Sequence, residues 1–186
     1  MLPAKSGWPV WRKPEAETGF SLADVELCWT SLDFAARTLT HRLIERFGRP
    51  VDTPFAGLTR LFPVAEAIAT ASADAIGSLG IVRQRVGALQ ALARAVHDGQ
   101  IELHRAAPLD DTLARLRELP GIGEWTAQLV AMRVLAWPDA FPASDIGILN
   151  ALRTRDPKAA LALAQPWQPW RSYAVMRLWL ALEETP

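Results

Sequence analysis

Residues 119–130 read LPGIGEWTAQLV, two glycines in a short break between apolar segments. Apolar residues recur at helical spacing on both sides of LPGIG, which predicts two helices joined by a tight turn. Gly121 and Gly123 accept a positive φ at little cost and leave bare backbone open to close approach. Amides at the start of the second helix then point outward, which suits a phosphate oxygen. Taken alone, the same turn is also a plain linker between antiparallel helices.

The sequence on either side of this turn is helical in pattern throughout. Pro, Gly or Asp interrupts the apolar periodicity every ten to twenty residues, and no segment predicts a strand. The sequence therefore predicts an all-α protein of eight or nine helices in one compact array. The helical segments are about residues 33–48, 64–71, 72–79, 83–99, 110–119, 123–137, 144–153, 156–165 and 170–184. Its parts are a Pro- and Trp-rich leader over about residues 1–18, a domain over residues 19–186, and the hairpin over about residues 113–136.

Composition limits the size and the partners of the protein. The chain has 186 residues, half of them apolar, which is enough for one domain with a substantial core. Its formal net charge is zero, so any nucleic-acid site must be local. Only three of the 20 basic residues are lysines. The arginine excess suits phosphate recognition, and a GC-rich genome would produce the same excess.

The single cysteine and the hydropathy exclude several classes of protein. Cys28 cannot form an internal disulfide, a Cys-rich zinc site or a four-cysteine iron–sulfur cluster by itself. No apolar run approaches the ~20 residues that a membrane span needs, and residues 1–15 lack the apolar core of a signal peptide. We therefore expect a cytoplasmic protein with no membrane partner.

Three motifs in a fixed order carry a resemblance to a known family. They are LPGIGEWTA, then FPASDIGIL (residues 141–149), then PWQPWRSYAVMRLW (residues 166–179). This order resembles the AlkA-type branch of the helix-hairpin-helix (HhH-GPD) DNA glycosylase superfamily, and the resemblance runs from about residue 19 to the end. It implies the compact multi-helix HhH-GPD fold. It also implies a monofunctional DNA glycosylase that excises alkylated purines, of the 3-methyladenine and 7-methylguanine type, in base excision repair.

Asp145 is the candidate catalytic residue. Cleavage of an N-glycosidic bond builds positive charge on the sugar, and a fixed carboxylate stabilises that charge. The resemblance assigns this role to Asp145, which could also orient a water for attack on the sugar. The alternative is an ordinary capping aspartate, with Ser144 as a rival cap of the helix that follows.

The resemblance also implies a base pocket and a DNA-binding surface. A glycosylase must flip its target base out of the duplex and hold it against aromatic or apolar surfaces. Trp125 and Trp179 match the family's pocket tryptophans, although Trp179 could equally be a core residue, and Leu129 stands where some relatives have a tyrosine. The residues expected to contact DNA are Leu119, Gly121, Gly123, Thr126, Arg133 and Arg171; the two arginines could instead be a solvated helix residue and a brace for the last helix.

Two further features depart from related enzymes. Relatives that also cut the strand use a lysine to form a Schiff base, and Glu124 occupies that hairpin position here. The family's Gly-Gln-Gln-Val-Ser-like stretch, which supplies the wedge that fills the space of the flipped base, is replaced by CWTSLD. Thr30 then falls near the wedge position, with Trp29 and Leu32 as apolar substitutes.

The departures leave alternative functions open. A helix-hairpin-helix module that binds DNA without turnover fits the altered wedge segment, and an all-helical interaction module would make the three motifs a coincidence. The expected partner is double-stranded DNA with alkylated bases, bound by a monomer. We expect no cofactor, because water is the only second substrate, and no side-chain cluster requires a metal.

Overall fold

The computed structural model of the protein describes residues 33–55 and 57–183. Nine α-helices and one short 3₁₀ turn make up the regular structure of these residues. The only strand-like feature recorded within the same ranges is one isolated antiparallel bridge between Pro50 and Arg60. The all-α prediction is therefore confirmed. The predicted leader and the candidate wedge residues Trp29, Thr30 and Leu32 lie outside the described residues.

The helices follow the predicted segments closely. They are α1 (Asp33–Phe47), α2 (Ala65–Thr70), α3 (Ala73–Gly77), α4 (Arg83–His97), α5 (Leu109–Glu118), α6 (Glu124–Arg133), α7 (Ile146–Ala151), α8 (Pro157–Leu163) and α9 (Arg171–Glu183), with the 3₁₀ turn at Gln165–Trp167. Most ends lie within about two residues of the prediction, which is the usual uncertainty of a helix boundary.

Helix α6 is the exception, because it ends four residues before the apolar pattern GEWTAQLVAMRVLAW does. The amide of Leu135 donates to the Val130 carbonyl at 3.1 Å, and the amide of Trp137 donates to the Ala131 carbonyl at 2.9 Å. Ala136 takes the left-handed conformation, with φ of 56°. Such a closure satisfies the last carbonyls of a helix and reverses the chain. The segment that leads to Asp145 is thereby turned back along α6.

One apolar core joins the helices. Among its largest fully buried side chains are Ile68, Ile76, Leu116, Val130, Ile148 and Val175, which come from α2, α3, α5, α6, α7 and α9. Helix α2 packs on α4, α5 packs on α6, and α7 packs on α9. Because α6, α7 and α9 share this core, side chains at their ends can meet at one corner of the molecule. Among residues 33–55 and 57–183, none of the helices has the length and apolar character of a membrane span.

Candidate active site

The turn between α5 and α6 requires glycine at one position for two reasons. The amide of Ile122 donates to the Leu119 carbonyl at 3.1 Å, and Gly121 has a φ of 82°. Proline followed by glycine with positive φ is typical of a type II turn. A Cβ at Gly121 would also lie 2.9 Å from the Cβ of Ala88 in α4. A side chain at this position would therefore strain the backbone and press the hairpin away from α4.

Gly123 differs from the prediction. It is the N-cap of α6 with φ of −92° and ψ of 179°, an extended conformation that any residue adopts, so the predicted use of positive φ is wrong here. A Cβ at Gly123 would meet no atom within 4 Å. Gly123 therefore leaves the backbone accessible at the N-terminal end of α6, where the helix amides point outward.

Asp145 caps α7 and is almost completely buried. Its side chain is the N-cap of that helix, with Oδ1 accepting the amide of Ile148 at 3.0 Å. Only 6% of the residue is exposed. A buried carboxylate is costly unless hydrogen bonds compensate for the lost water. The backbone cap supplies one such bond, and the remaining donors come from other helices.

Two tryptophans donate to the same carboxylate. The indole Nε1 of Trp125, in α6, lies 2.9 Å from Oδ2 of Asp145. The indole Nε1 of Trp179, in α9, lies 2.9 Å from Oδ1. The structure thus brings together the candidate catalytic residue and both candidate pocket tryptophans, which are 20 and 34 residues from it in the sequence. A fixed carboxylate beside two indole rings can stabilise a positive charge that develops next to it.

Leu129, which the resemblance places in the base pocket, is a buried residue here, and its part in holding a base stays a prediction. It is 1% exposed and belongs to the apolar core. Its position one turn after Trp125 places it on the same stripe of α6.

Arg133 continues the same stripe and covers one face of Trp179. Its Cζ lies 5.5 Å from the centroid of the Trp179 ring, which is a cation–π contact. The edge of this indole therefore holds Asp145 while one face holds a guanidinium. An aromatic ligand stacking on Trp179 must use its other face or displace Arg133.

Arg171 makes a contact that the sequence prediction did not assign to it. Its Nε donates to Oδ1 of Asp139 at 2.7 Å and its Nη2 donates to Oδ2 at 2.7 Å, and both side chains are largely buried. This guanidinium holds the pKa of Asp139 below its ordinary value, mainly through hydrogen bonding and despite the opposing effect of burial. Ser172 adds bonds to the Trp137 and Ala140 carbonyls. Arg171 thus braces the start of α9, which was the alternative to a phosphate contact.

A second polar network joins the hairpin to the segment before Asp145. Arg117 of α5 pairs with both carboxylate oxygens of Glu124, which keeps the pKa of Glu124 below its ordinary value; a further bond from Gln128 acts in the same direction. The Gln128 side-chain oxygen accepts the amide of Phe141 at 3.0 Å. The position where lyase-competent relatives carry lysine therefore holds a carboxylate with two structural partners.

The remaining candidate residues surround the hairpin. Leu119 is the half-buried C-cap of α5, and Thr126 is half-buried in the first turn of α6. Of the three lysines, Lys158 is exposed at the start of α8, and the other two lie outside the described residues. Within residues 33–55 and 57–183, no group of three or more His, Cys, Asp or Glu side chains is arranged to hold a metal ion.

Sequence reasoning missed Gly147, in the first turn of α7. A Cβ at this position would lie 3.0 Å from Oδ1 of Asp145 and 3.2 Å from Cδ1 of Trp179. Glycine inside a helix costs about 1 kcal/mol relative to alanine. A glycine inside the short apolar segment IGILNA could have indicated from the sequence that another group packs closely against this helix. Asp139 was also missed, and its partner is 32 residues away.

Comparison with known proteins identifies relatives in sequence. The chain is 39% identical over 153 residues to a Mycobacterium tuberculosis protein named "Probable bifunctional transcriptional activator/DNA repair enzyme AlkA", covering 80% of this chain and 30% of that protein. It is 31% identical over 144 residues to DNA-3-methyladenine glycosylase 2 of Escherichia coli, covering 77% of this chain and 50% of that protein. The chain thus spans half or less of the length of these relatives. No family model matches it.

Solved structures share the fold at lower identity. A 3-methyladenine DNA glycosylase from Archaeoglobus fulgidus superposes with a TM-score of 0.69 at 22% identity, covering 84% of this chain and 56% of that one. A Schizosaccharomyces pombe 3-methyladenine DNA glycosylase in complex with abasic DNA gives a TM-score of 0.70 at 20% identity, covering 87% and 79%. An 8-oxoguanine glycosylase/lyase from Clostridium acetobutylicum gives 0.70 at 13% identity, covering 89% and 61%. With the relatives in sequence and the shared fold, the chain belongs to the AlkA-type branch of the helix-hairpin-helix DNA glycosylase superfamily.

Proposed function

We propose that the protein is a monofunctional DNA glycosylase that releases alkylated purines, of the 3-methyladenine and 7-methylguanine type, by hydrolysing their N-glycosidic bond. One observation carries the proposal: the carboxylate of Asp145 is buried at the start of α7 and held by indoles from α6 and α9. Capping alone requires neither the burial nor the two indoles. The curated relatives are named for DNA repair or for DNA-3-methyladenine glycosylase activity.

The chemistry follows from the charge on the sugar. As the base departs, the sugar becomes oxocarbenium-like, and the fixed carboxylate of Asp145 stabilises it without reorganising. Ring-alkylated purines already carry positive charge, so they leave without a strong general acid. Their charge also favours contact with the electron-rich faces of Trp125 and Trp179. Water completes the reaction, and no cofactor is needed.

We propose that the reaction stops at an abasic site. Strand cleavage by this superfamily's lyases requires an amine beside the sugar. Glu124 stands at the corresponding hairpin position, paired with Arg117 and Gln128. Lys158 is exposed at the start of α8, and it has no role in the Asp145 cluster.

The proposed partner is double-stranded DNA, bound by a monomer through the hairpin. Backbone amides near Gly121 and Gly123 would hold phosphate, because Gly123 has open space in front of it. Leu119 and Thr126 flank that surface. Arg133 is the candidate for an additional phosphate contact, after release from or alongside its contact with Trp179.

The test is base release from methylated duplex DNA under single-turnover conditions, with strand integrity measured in the same samples. We expect free 3-methyladenine or 7-methylguanine, together with strands that stay intact until alkali cleaves them at abasic sites. Strands nicked by the protein itself would contradict the monofunctional assignment. Salt-sensitive DNA binding without any released base would instead establish the DNA-binding module.

A further inference from the structure

The three hydrogen bonds to Asp145 are unevenly divided between its two oxygens. Oδ1 accepts the Ile148 amide at 3.0 Å and the Trp179 indole at 2.9 Å, whereas Oδ2 accepts the Trp125 indole at 2.9 Å. Each carboxylate oxygen offers about two acceptor positions. Donors from the residues that the structure describes therefore fill Oδ1 and leave one position of Oδ2 open.

We propose that Trp125 and Trp179 act through their indole N–H groups as positioning residues for Asp145, so that Oδ2 is the oxygen presented to the sugar. This inference rests on the proposed glycosylase function and adds the orientation of its carboxylate. An indole N–H only donates, and it needs an acceptor when it is buried. The two indoles therefore donate to the Asp145 carboxylate, and neither indole can itself act as the proton acceptor in the reaction.

The donors come from three different helices, so tertiary packing rather than the cap of α7 sets the carboxylate plane. Trp125 belongs to α6, Trp179 to α9, and the Ile148 amide to α7 itself. Asp156 provides the contrast: within residues 33–55 and 57–183, the donors to its oxygens are the amides of Lys158 and Ala159 in its own helix, α8. An N-cap needs no more than those local donors.

Gly147 makes the approach of Trp179 possible. A Cβ there would lie 3.0 Å from Oδ1, 3.2 Å from the Trp179 Cδ1 and 3.3 Å from its Nε1. These distances are shorter than ordinary van der Waals contact, so a methyl group would push the indole away from the carboxylate. Gly147→Ala should thus weaken one N–H bond without removing any donor. Gly87→Ala is the matched control, because a Cβ at Gly87 in α4 meets nothing within 4 Å.

The variants Trp125→Phe and Trp179→Phe keep an aromatic ring and delete the N–H group. We expect the single-turnover rate at saturating protein to fall by roughly tenfold or more, with affinity for the same DNA little changed. Trp125→Phe should have the larger effect, because Trp125 is the donor recorded to Oδ2, whereas Oδ1 keeps the Ile148 amide. Gly147→Ala should lower the rate and Gly87→Ala should not. Thermal unfolding of each variant verifies that it is folded.

A second readout does not require activity. In a ¹H–¹⁵N spectrum, the indole N–H signals assigned by Trp125→Phe and Trp179→Phe should both move in Asp145→Ala, and most of the other tryptophan signals of the eight should stay. Unmoved signals would overturn the inference. Phe variants that keep the saturating rate and lose only affinity would also overturn it, because stacking would then be the role of the rings. Absence of base release by the unmodified protein would contradict the proposed function, and the spectra would still decide whether the N–H groups hold Asp145.

Discussion

Two short helices eleven residues apart begin with a capping aspartate, and their surroundings differ. Asp145 starts α7 in the corner where α6, α7 and α9 meet, whereas Asp156 starts α8 on an exposed edge. Both carboxylates accept amides of their own helix. Only Asp145 is also buried and bound by two indoles. Helix capping therefore explains both hydrogen bonds described for the Asp156 carboxylate, but only one of the three described for the Asp145 carboxylate.

The two arginine–carboxylate pairs also differ in burial. Arg171 and Asp139 form a largely buried pair at the start of α9, and Arg117 and Glu124 form an exposed pair on the hairpin. Removing one partner of a buried pair leaves a charge without compensation, which costs far more than breaking a surface pair.

The largest expected effect on stability follows from that difference. Arg171→Ala should lower the free energy of unfolding by about 3 kcal/mol, because Asp139 stays buried without its guanidinium. Arg117→Ala should lower it by less than about 1 kcal/mol, because water replaces the lost partner. Denaturant unfolding of both variants measures the difference. Equal losses in the free energy of unfolding would contradict the distinction between the buried pair and the exposed pair.

Acid should weaken the buried Arg171–Asp139 pair, because Asp139 loses its charge as the pH falls. The pKa of Asp139 is held below its ordinary value of 3.8, chiefly by hydrogen bonds from Arg171. A carboxyl with a depressed folded-state pKa contributes stability above its unfolded pKa, and that stability is lost as pH falls through the folded value. The free energy of unfolding should therefore decline on acidification below about pH 4 more steeply than in Asp139→Asn. Parallel declines in the two proteins would mean that this carboxyl adds nothing.

The smallest expected effect concerns DNA binding by the two candidate arginines. Arg171 is engaged with Asp139, whereas the contact recorded for the Arg133 side chain is the face of Trp179. Arg133→Ala should reduce the salt slope of DNA binding by about one unit, and Arg171→Ala should leave it unchanged. Binding titrations across a range of salt concentrations test this. A reduced slope for Arg171→Ala would restore the phosphate contact predicted from sequence.

The corner also shows how far the sequence alone could lead. Helical periodicity located the elements, and the motif order brought Asp145, Trp125 and Trp179 into one hypothesis. It could not predict that the tryptophans bind Asp145 through their edges, because that geometry depends on how α6 and α9 pack. Arg171 and Leu129 were assigned by motif position, and their actual contacts depend on Asp139 and on the core. Gly123 was misjudged because its turn needs positive φ at Gly121 alone.

The central claim is that Asp145 is catalytic as well as structural. The most direct test compares Asp145→Asn with Asp156→Asn in single-turnover release of 7-methylguanine from methylated duplex DNA, with DNA affinity and thermal unfolding measured alongside. We expect Asp145→Asn to reduce release by at least about 100-fold while DNA binding and folding survive, and Asp156→Asn to release base at the unmodified rate. Undiminished release by folded Asp145→Asn would contradict the claim and leave Asp145 a buried helix cap.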